Sequence, residues 1–121
     1  MGGKKYPIRL RGYTKVVADG TGKVANNRLE PGQLVACQSI AFRNQTGARG
    51  AVVLQIRHDD RVEEFAEEPA PAANEWYYYP YAQFIKEGEQ IEAAQASCLA
   101  NDILNLRVIG YIIFESGGEV P

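Results

Sequence analysis

Leu104-Asn105-Leu106-Arg107-Val108-Ile109-Gly110-Tyr111-Ile112-Ile113-Phe114, near the end of the chain, decides the fold. With a period of two, Leu104, Leu106, Val108, Gly110, Ile112 and Phe114 share one side. Ile109, Tyr111 and Ile113 make the other side apolar in part, which predicts a central strand rather than an edge. Burying the first side contributes on the order of 10 kcal/mol before the entropy of ordering is subtracted.

Upstream, runs of Val, Ile, Tyr and Phe bounded by Gly, Pro, Asn and Asp recur, and no helix-period pattern of useful length interrupts them. Ile8 to Ala18 alternates until Asp19-Gly20-Thr21-Gly22, read as a hairpin turn, and Lys23 to Arg28 returns as a short edge strand. Leu29-Glu30-Pro31-Gly32-Gln33 reverses the chain, because Pro31 fixes φ and Gly32 is free to take positive φ. In the strand from Leu34 to Phe42, the side with Leu34, Ala36, Gln38, Ile40 and Phe42 is assigned to the core. Ala51 to His58 turns Val52, Leu54 and Ile56 inward, Asp59-Asp60 makes a turn, and Val62 to Phe65 forms a short strand. Glu67 to Asn74 is a Pro/Ala-rich surface connection, the longest irregular stretch expected. Pro80 lacks a backbone donor, so Trp76 to Tyr81 ends extended at an edge or between sheets, and Gln90 to about Ser97 is a further strand. The expectation is an all-β antiparallel β-sandwich or jelly roll of about eight strands. It is one domain over residues 1–121, with short flexible arms at about 1–6 and 115–121.

The 121 residues suit one core, and 45% hydrophobic with 23% charged residues excludes both disorder and a long apolar membrane span. No apolar stretch of signal-peptide kind follows Lys4-Lys5, and Tyr6 stands where a myristoylation signal wants Ser or Thr, so neither export nor lipid anchoring is expected. Charge is uneven: residues 1–57 carry a balance of +8 and residues 58–121 a balance of −10. Interleaved strands can turn this into complementary contacts within the fold or between copies. It argues against a direct nucleic-acid binder, whose basic patch would dominate the whole domain.

Sites of chemistry are scarce. Glu63-Glu64 and Glu67-Glu68 are sequential pairs, and neighbours on a strand point to opposite faces, so they cannot converge on one bond and read as a solvated edge. His58 is the sole histidine, and Ser39, Ser97 and Ser116 lie outside any strained Gly-flanked turn, so no triad is expected. Cys37 and Cys98 lie in apolar strand patterns and read as small core hydrophobes; no metal or other cofactor is expected. Gly47-Ala48-Arg49-Gly50 and Gly20-Thr21-Gly22-Lys23 lack the Walker spacing, and Asn44 and Thr46 are read as closing a turn rather than as a glycosylation acceptor. The aromatic run stands above this background. Tyr77, Tyr79 and Tyr81 fall on one side of a strand, with Trp76 and Tyr78 on the other, so one side fills the core while the other needs cover. Packing within the core, a protein interface and a carbohydrate platform are the three readings such a run has, in that order. The interface residues expected are Lys4, Lys5, Trp76, Tyr77, Tyr78, Tyr79 and Tyr81.

Four segments in succession carry a resemblance: Leu29-Glu30-Pro31-Gly32-Gln33, Ser39-Ile40-Ala41-Phe42-Arg43-Asn44-Gln45-Thr46-Gly47, Phe84-Ile85-Lys86-Glu87-Gly88-Glu89-Gln90-Ile91, and Leu106-Arg107-Val108-Ile109-Gly110-Tyr111. Together they cover about residues 29 to 114, and their turn-and-strand rhythm resembles the small β-sandwich virion proteins of tailed bacteriophages. The resemblance implies a non-enzymatic capsid decoration or cement protein, a homo-oligomer and often a trimer, placed on the capsid surface against the major capsid protein. It transfers no individual site residue. Tumour-necrosis-factor-like trimers and carbohydrate-binding modules share the rhythm, so a carbohydrate- or receptor-binding module of a tail or fibre is the alternative. The Lys4-Lys5 arm and the Gly-rich acidic tail are expected to order on a neighbour.

Overall fold

The structure, a computed structural model, describes residues 5–114. It contains β1 (Lys5–Lys15), β2 (Gly20–Ala25), β3 (Gln33–Asn44), β4 (Val52–His58), β5 (Arg61–Glu68), β6 (Tyr77–Tyr79), β7 (Gln83–Lys86), β8 (Gln90–Cys98) and β9 (Ile103–Phe114). One sheet runs β1-β9-β3-β6 with β7 also on β3, and the other runs β2-β8-β4-β5. Every pairing is antiparallel. The chain steps from sheet to sheet in the order of two Greek keys, which is a jelly roll. β6 and β7 lie along successive lengths of β3, at Ile40–Phe42 and Leu34–Cys37, as one edge strand interrupted where Pro80 cannot donate.

β9 is central, between β1 and β3, as its two-sided apolar pattern requires. Leu104, Leu106, Val108 and Ile112 are buried against Val35, Cys37, Ile40 and Phe42 of β3 and against Val52, Leu54, Ile91 and Ala93 of the facing sheet.

Three expectations are corrected. The stretch Asp19-Gly20-Thr21-Gly22 does not close a hairpin: β1 pairs with β9, Gly20 to Gly22 already begin β2 on β8, and residues 16–19 carry the chain across the sandwich. Lys5 and Tyr6 are not an arm, since they pair with Ile113 and Ile112 at the start of β1. Lys4 and residues 115–121 lie outside the described residues. On β3 the core side changes partway: Val35 and Cys37 are buried first, then Ile40 and Phe42, while Leu34 and Ala36 are only half-buried and Gln38 is exposed.

The cause is a β-bulge. Cys37 sits opposite Gly110 and Ser39 opposite Ile109, leaving Gln38 as the extra residue, and one extra residue exchanges the two faces of everything beyond it. Gly110 permits it. A Cβ there would fall on the Ala36 carbonyl oxygen and come 3.0 Å from the Cys37 Cα, so no other residue lets the bulged backbone approach. β5 also runs past its expected end at Phe65 to Glu68, because Glu67 and Glu68 can pair their backbones with Val53 and Val52 as the last strand of the sheet.

Candidate functional site

The outer face of the five-stranded sheet collects side chains that are far apart in the chain. On β1 the exposed residues Lys5, Arg9, Arg11, Tyr13 and Lys15 alternate with the half-buried ones. Arg11 is opposite Arg107 and Tyr13 opposite Asn105 on β9, and beyond them Ala41 and Arg43 of β3 continue the same rows. Arg43 keeps to this face because the bulge at Gln38 has already exchanged the faces of β3. Ala41 stands between Arg107 and Tyr78, and its small side chain leaves room for the Arg107 guanidinium to donate to the Tyr78 hydroxyl at 3.1 Å.

Trp76, just before β6, is the centre of this face. The Arg43 and Arg107 guanidinium carbons each lie 4.6 Å from its ring centroid, a cation–π arrangement worth about 0.5–1 kcal/mol per contact at such a site. Arg43 is fixed further by donating Nε and Nη2 to the Asn105 Oδ1 at 3.1 and 2.9 Å. Lys5 lies 5.0 Å from the Tyr111 ring. A shallow groove lined by Arg11, Tyr13, Arg43, Trp76, Asn105 and Arg107 runs into a second one along Arg9, Gln38, Ile109 and Tyr111. The strand positions of this face carry no Asp or Glu among the described residues. Permanently charged donors beside flat aromatic rings are groups that can hold planar or anionic partners.

The aromatic run divides as its alternation predicts. Tyr78 is 52% exposed on the outer face beside Trp76. Tyr77 and Tyr79 are half-buried against the core. Tyr79 meets Phe65 edge-on at 5.1 Å and Tyr81 at 5.5 Å, covering the rim where β6 passes β5. Burial, then the nearby Glu68, pushes the Tyr77 hydroxyl above its ordinary pKa. Of the expected interface residues, Lys5, Trp76 and Tyr78 share the outer face, Tyr77 and Tyr79 belong to the packing, Tyr81 stands on the rim, and Lys4 is outside the described residues.

A second polar cluster pins one end of the sandwich. Asp102, 1% exposed, accepts from Arg49 Nε at 2.7 Å and Nη2 at 2.9 Å, from the Leu99 amide at 3.0 Å and from Asn44 Nδ2 at 3.2 Å. The Arg49 hydrogen bonds hold this carboxyl well below the usual carboxylate range. Asn44 also donates to Gln95 Oε1 and accepts from the Thr46 and Gly47 amides, while Thr46 Oγ1 accepts from the Ile103 amide, so these residues do close the turn. Glu92, buried, is held by Gln55 at 2.6 Å and Arg57 at 2.9 Å, a pairing the sequence reading did not anticipate. Cys37 and Cys98 are free and buried, and burial pushes the Cys37 thiol up to about 12. Glu63, Glu64 and Glu67 are exposed on the edge strand, and among the described residues no group of three or more His, Cys, Asp or Glu is placed to hold a metal.

Sequence reasoning missed Arg9, Arg11, Tyr13, Arg43, Asn105 and Arg107. Their outward alternation was visible, but that β1 and β3 flank β9 was not.

No protein-family model matches the chain, and no curated protein is similar enough to count as a relative. Matches among solved structures are distant. The N-terminal endo-1,4-β-D-xylanase 10B of Clostridium thermocellum, its CBM22-1 and GH10 modules complexed with xylohexaose, aligns over 93% of this chain at 12% identity and a TM-score of 0.41. This chain spans 27% of that one. The N-terminal cellulose-binding domain of Cellulomonas fimi β-1,4-glucanase C aligns over 93% of this chain and 90% of its own, at 12% identity and a TM-score of 0.35. The tumour necrosis factor Eiger of S. frugiperda aligns over 95% and 96%, at 12% identity and a TM-score of 0.33. The chain is an all-β, two-sheet antiparallel domain with an open basic and aromatic face.

Proposed function

We propose that this protein is a non-enzymatic structural protein of a virus particle, of the capsid decoration or cement type, and that it docks through the outer face of its five-stranded sheet. The observation that carries the reading is the Arg43–Trp76–Arg107 arrangement, half-buried on the outer face, with the exposed Tyr78 and Tyr13 beside it. Trp, Tyr and Arg are the residues that dominate binding energy when covered by a partner. The phage-like rhythm of residues 29 to 114 supplies the kind of partner, the major capsid protein of a shell.

The mechanism is mass action. A protein that binds the assembled lattice and not its separated subunits stabilises the lattice by about 2.7 kcal/mol per site at a hundred times its dissociation constant. The test is co-sedimentation of the protein with empty capsid shells, together with the shells' resistance to heat. Binding and a raised shell melting temperature are expected, both lost in Trp76→Ala. Equal sedimentation of the variant and the parent would remove this face from the reading, and no binding of the parent would remove the reading itself.

The second reading is a carbohydrate- or receptor-binding module. It is favoured by the flat rings of Tyr13 and Trp76 lining one groove with the Asn105 amide and Arg11, since stacking rings beside planar donors suit sugar hydroxyls. Glycan-array binding that Trp76→Ala abolishes, by a protein that ignores shells, would reverse the order of the two.

A further inference from the structure

We propose that copies of this chain associate face to edge, the basic outer face of the five-stranded sheet on one copy receiving the acidic β5 edge of the next. The face presents Lys5, Arg9, Arg11, Lys15, Arg43 and Arg107. The edge presents the reverse: Asp59 to Glu68 contains six acidic residues and one arginine, and although Asp59 is paired with Arg28 at 2.6 Å, Asp60, Glu63, Glu64 and Glu67 are exposed along it.

Geometry keeps the two apart within one molecule. β5 ends the four-stranded sheet, beneath β6 in the sandwich, whereas the cations point away from the sandwich on the far side of the other sheet. Neither can neutralise the other inside a copy, so complementarity is met only between copies. β5 pairs with β4 alone, which leaves its outer row of backbone groups open among the described strands, and Val62 beside its carboxylates is 46% exposed. The receiving face offers apolar cover for it in Ile109, 40% exposed, and in Tyr78. Unlike surfaces meeting in this way give a heterologous contact, which produces a ring if the rotation closes and a chain if it does not.

This goes beyond the shell reading and gives the outer face a different occupant, since a face filled by a neighbouring copy is not free for a shell, and its test uses the protein alone. Sedimentation equilibrium would compare the parent, the face variant Arg9→Glu/Arg11→Glu and the edge variant Glu64→Lys/Glu67→Lys, with circular dichroism to verify that each folds. All four positions are exposed, so the fold is expected to survive. The parent should exceed monomer mass at low salt and lose affinity about tenfold or more at high salt. Each variant should sediment as a monomer. Mixed in equal amounts they should associate again as a heterodimer, because the unaltered face of the edge variant then meets the unaltered edge of the face variant. A parent that stays monomeric, variants that associate like the parent, or a mixture that stays monomeric each overturn the proposal. So does a monomeric parent that binds a single-stranded oligonucleotide through Arg9 and Arg11, which would assign the face to a polyanion. A monomer that still sediments with capsid shells would overturn the self-contact and leave the shell reading standing.

Discussion

Arg49 and the pair Arg43 and Arg107 are the same residue type put to opposite use. Arg49 spends its fork on Asp102, a carboxylate 1% exposed and satisfied from four directions, at the end of the sandwich where the loops before β4 and β9 meet. Arg43 and Arg107 lean on the Trp76 ring and hydrogen-bond to neutral partners, Asn105 and Tyr78, and no carboxylate shares their face among the described strand positions. A cation matched by a buried anion belongs to the fold. Cations held flat and left unneutralised are available to a partner.

Both regions depend on the bulge at Gln38, because it decides that Asn44 faces inward to Asp102 and Arg43 outward to Trp76. Gly110→Ala therefore breaks the comparison altogether. With its methyl group on the Ala36 carbonyl oxygen, the variant is expected to lose more than about 4 kcal/mol and to appear as an aggregated or unfolded product in circular dichroism. A folded, equally stable variant would show that the bulge can move.

Asp102→Ala should separate the two regions. Leaving Arg49 and Asn44 without their acceptor is expected to cost about 3 kcal/mol, or roughly 10 °C in Tm by calorimetry, with the outer face still able to bind. Acid should sharpen the same point. The folded pKa of Asp102 is depressed below its ordinary 3.8, so its contribution is fully present above that value and is lost as pH falls through the folded value. Urea melts between pH 5 and 2 should show a steeper loss in the parent than in Asp102→Asn, and parallel curves would remove Asp102 as the acid-sensitive group.

The outer face should respond in the opposite sense. Trp76→Ala is expected to cost about 1 kcal/mol of stability, through its two cation contacts, while abolishing association. Arg107→Ala should cost about 0.5–1 kcal/mol of stability, through its ring contact and its hydrogen bond to Tyr78, and weaken partner binding by about tenfold. Destabilisation by Arg107→Ala on the scale of Asp102→Ala would mean that both arginine sites are structural.

Much of this was legible in the chain. Two-residue alternation in Ile8 to Lys15, Val52 to His58 and Leu104 to Phe114 is a local property, and it gave the strands, their inward sides and the central place of β9. The split of Trp76 and Tyr78 from Tyr77 and Tyr79 followed from the same rule, whereas Tyr81, expected on the inner side, lies beyond β6 and is exposed. What alternation cannot show is an exception to itself. An extra residue at Gln38 looks like any other in a strand, and only a partner with Gly110 opposite makes it a bulge. Pairing was equally silent: Asp19-Gly20-Thr21-Gly22 has hairpin chemistry, yet β1 gains more by covering β9 than by folding back on β2.

The sequence by itself determined that this is an all-β, two-sheet protein with an aromatic surplus, because side-chain period and turn chemistry act between near neighbours. Only the tertiary structure decided that Arg9, Arg11, Arg43 and Arg107 share one face whose described strand positions carry no carboxylate, while Glu63, Glu64 and Glu67 line the far edge. That sorting comes from strand order, and strand order is set by which apolar sides must be buried together, a condition that joins residues as distant as Arg11 and Arg107 and is written at neither.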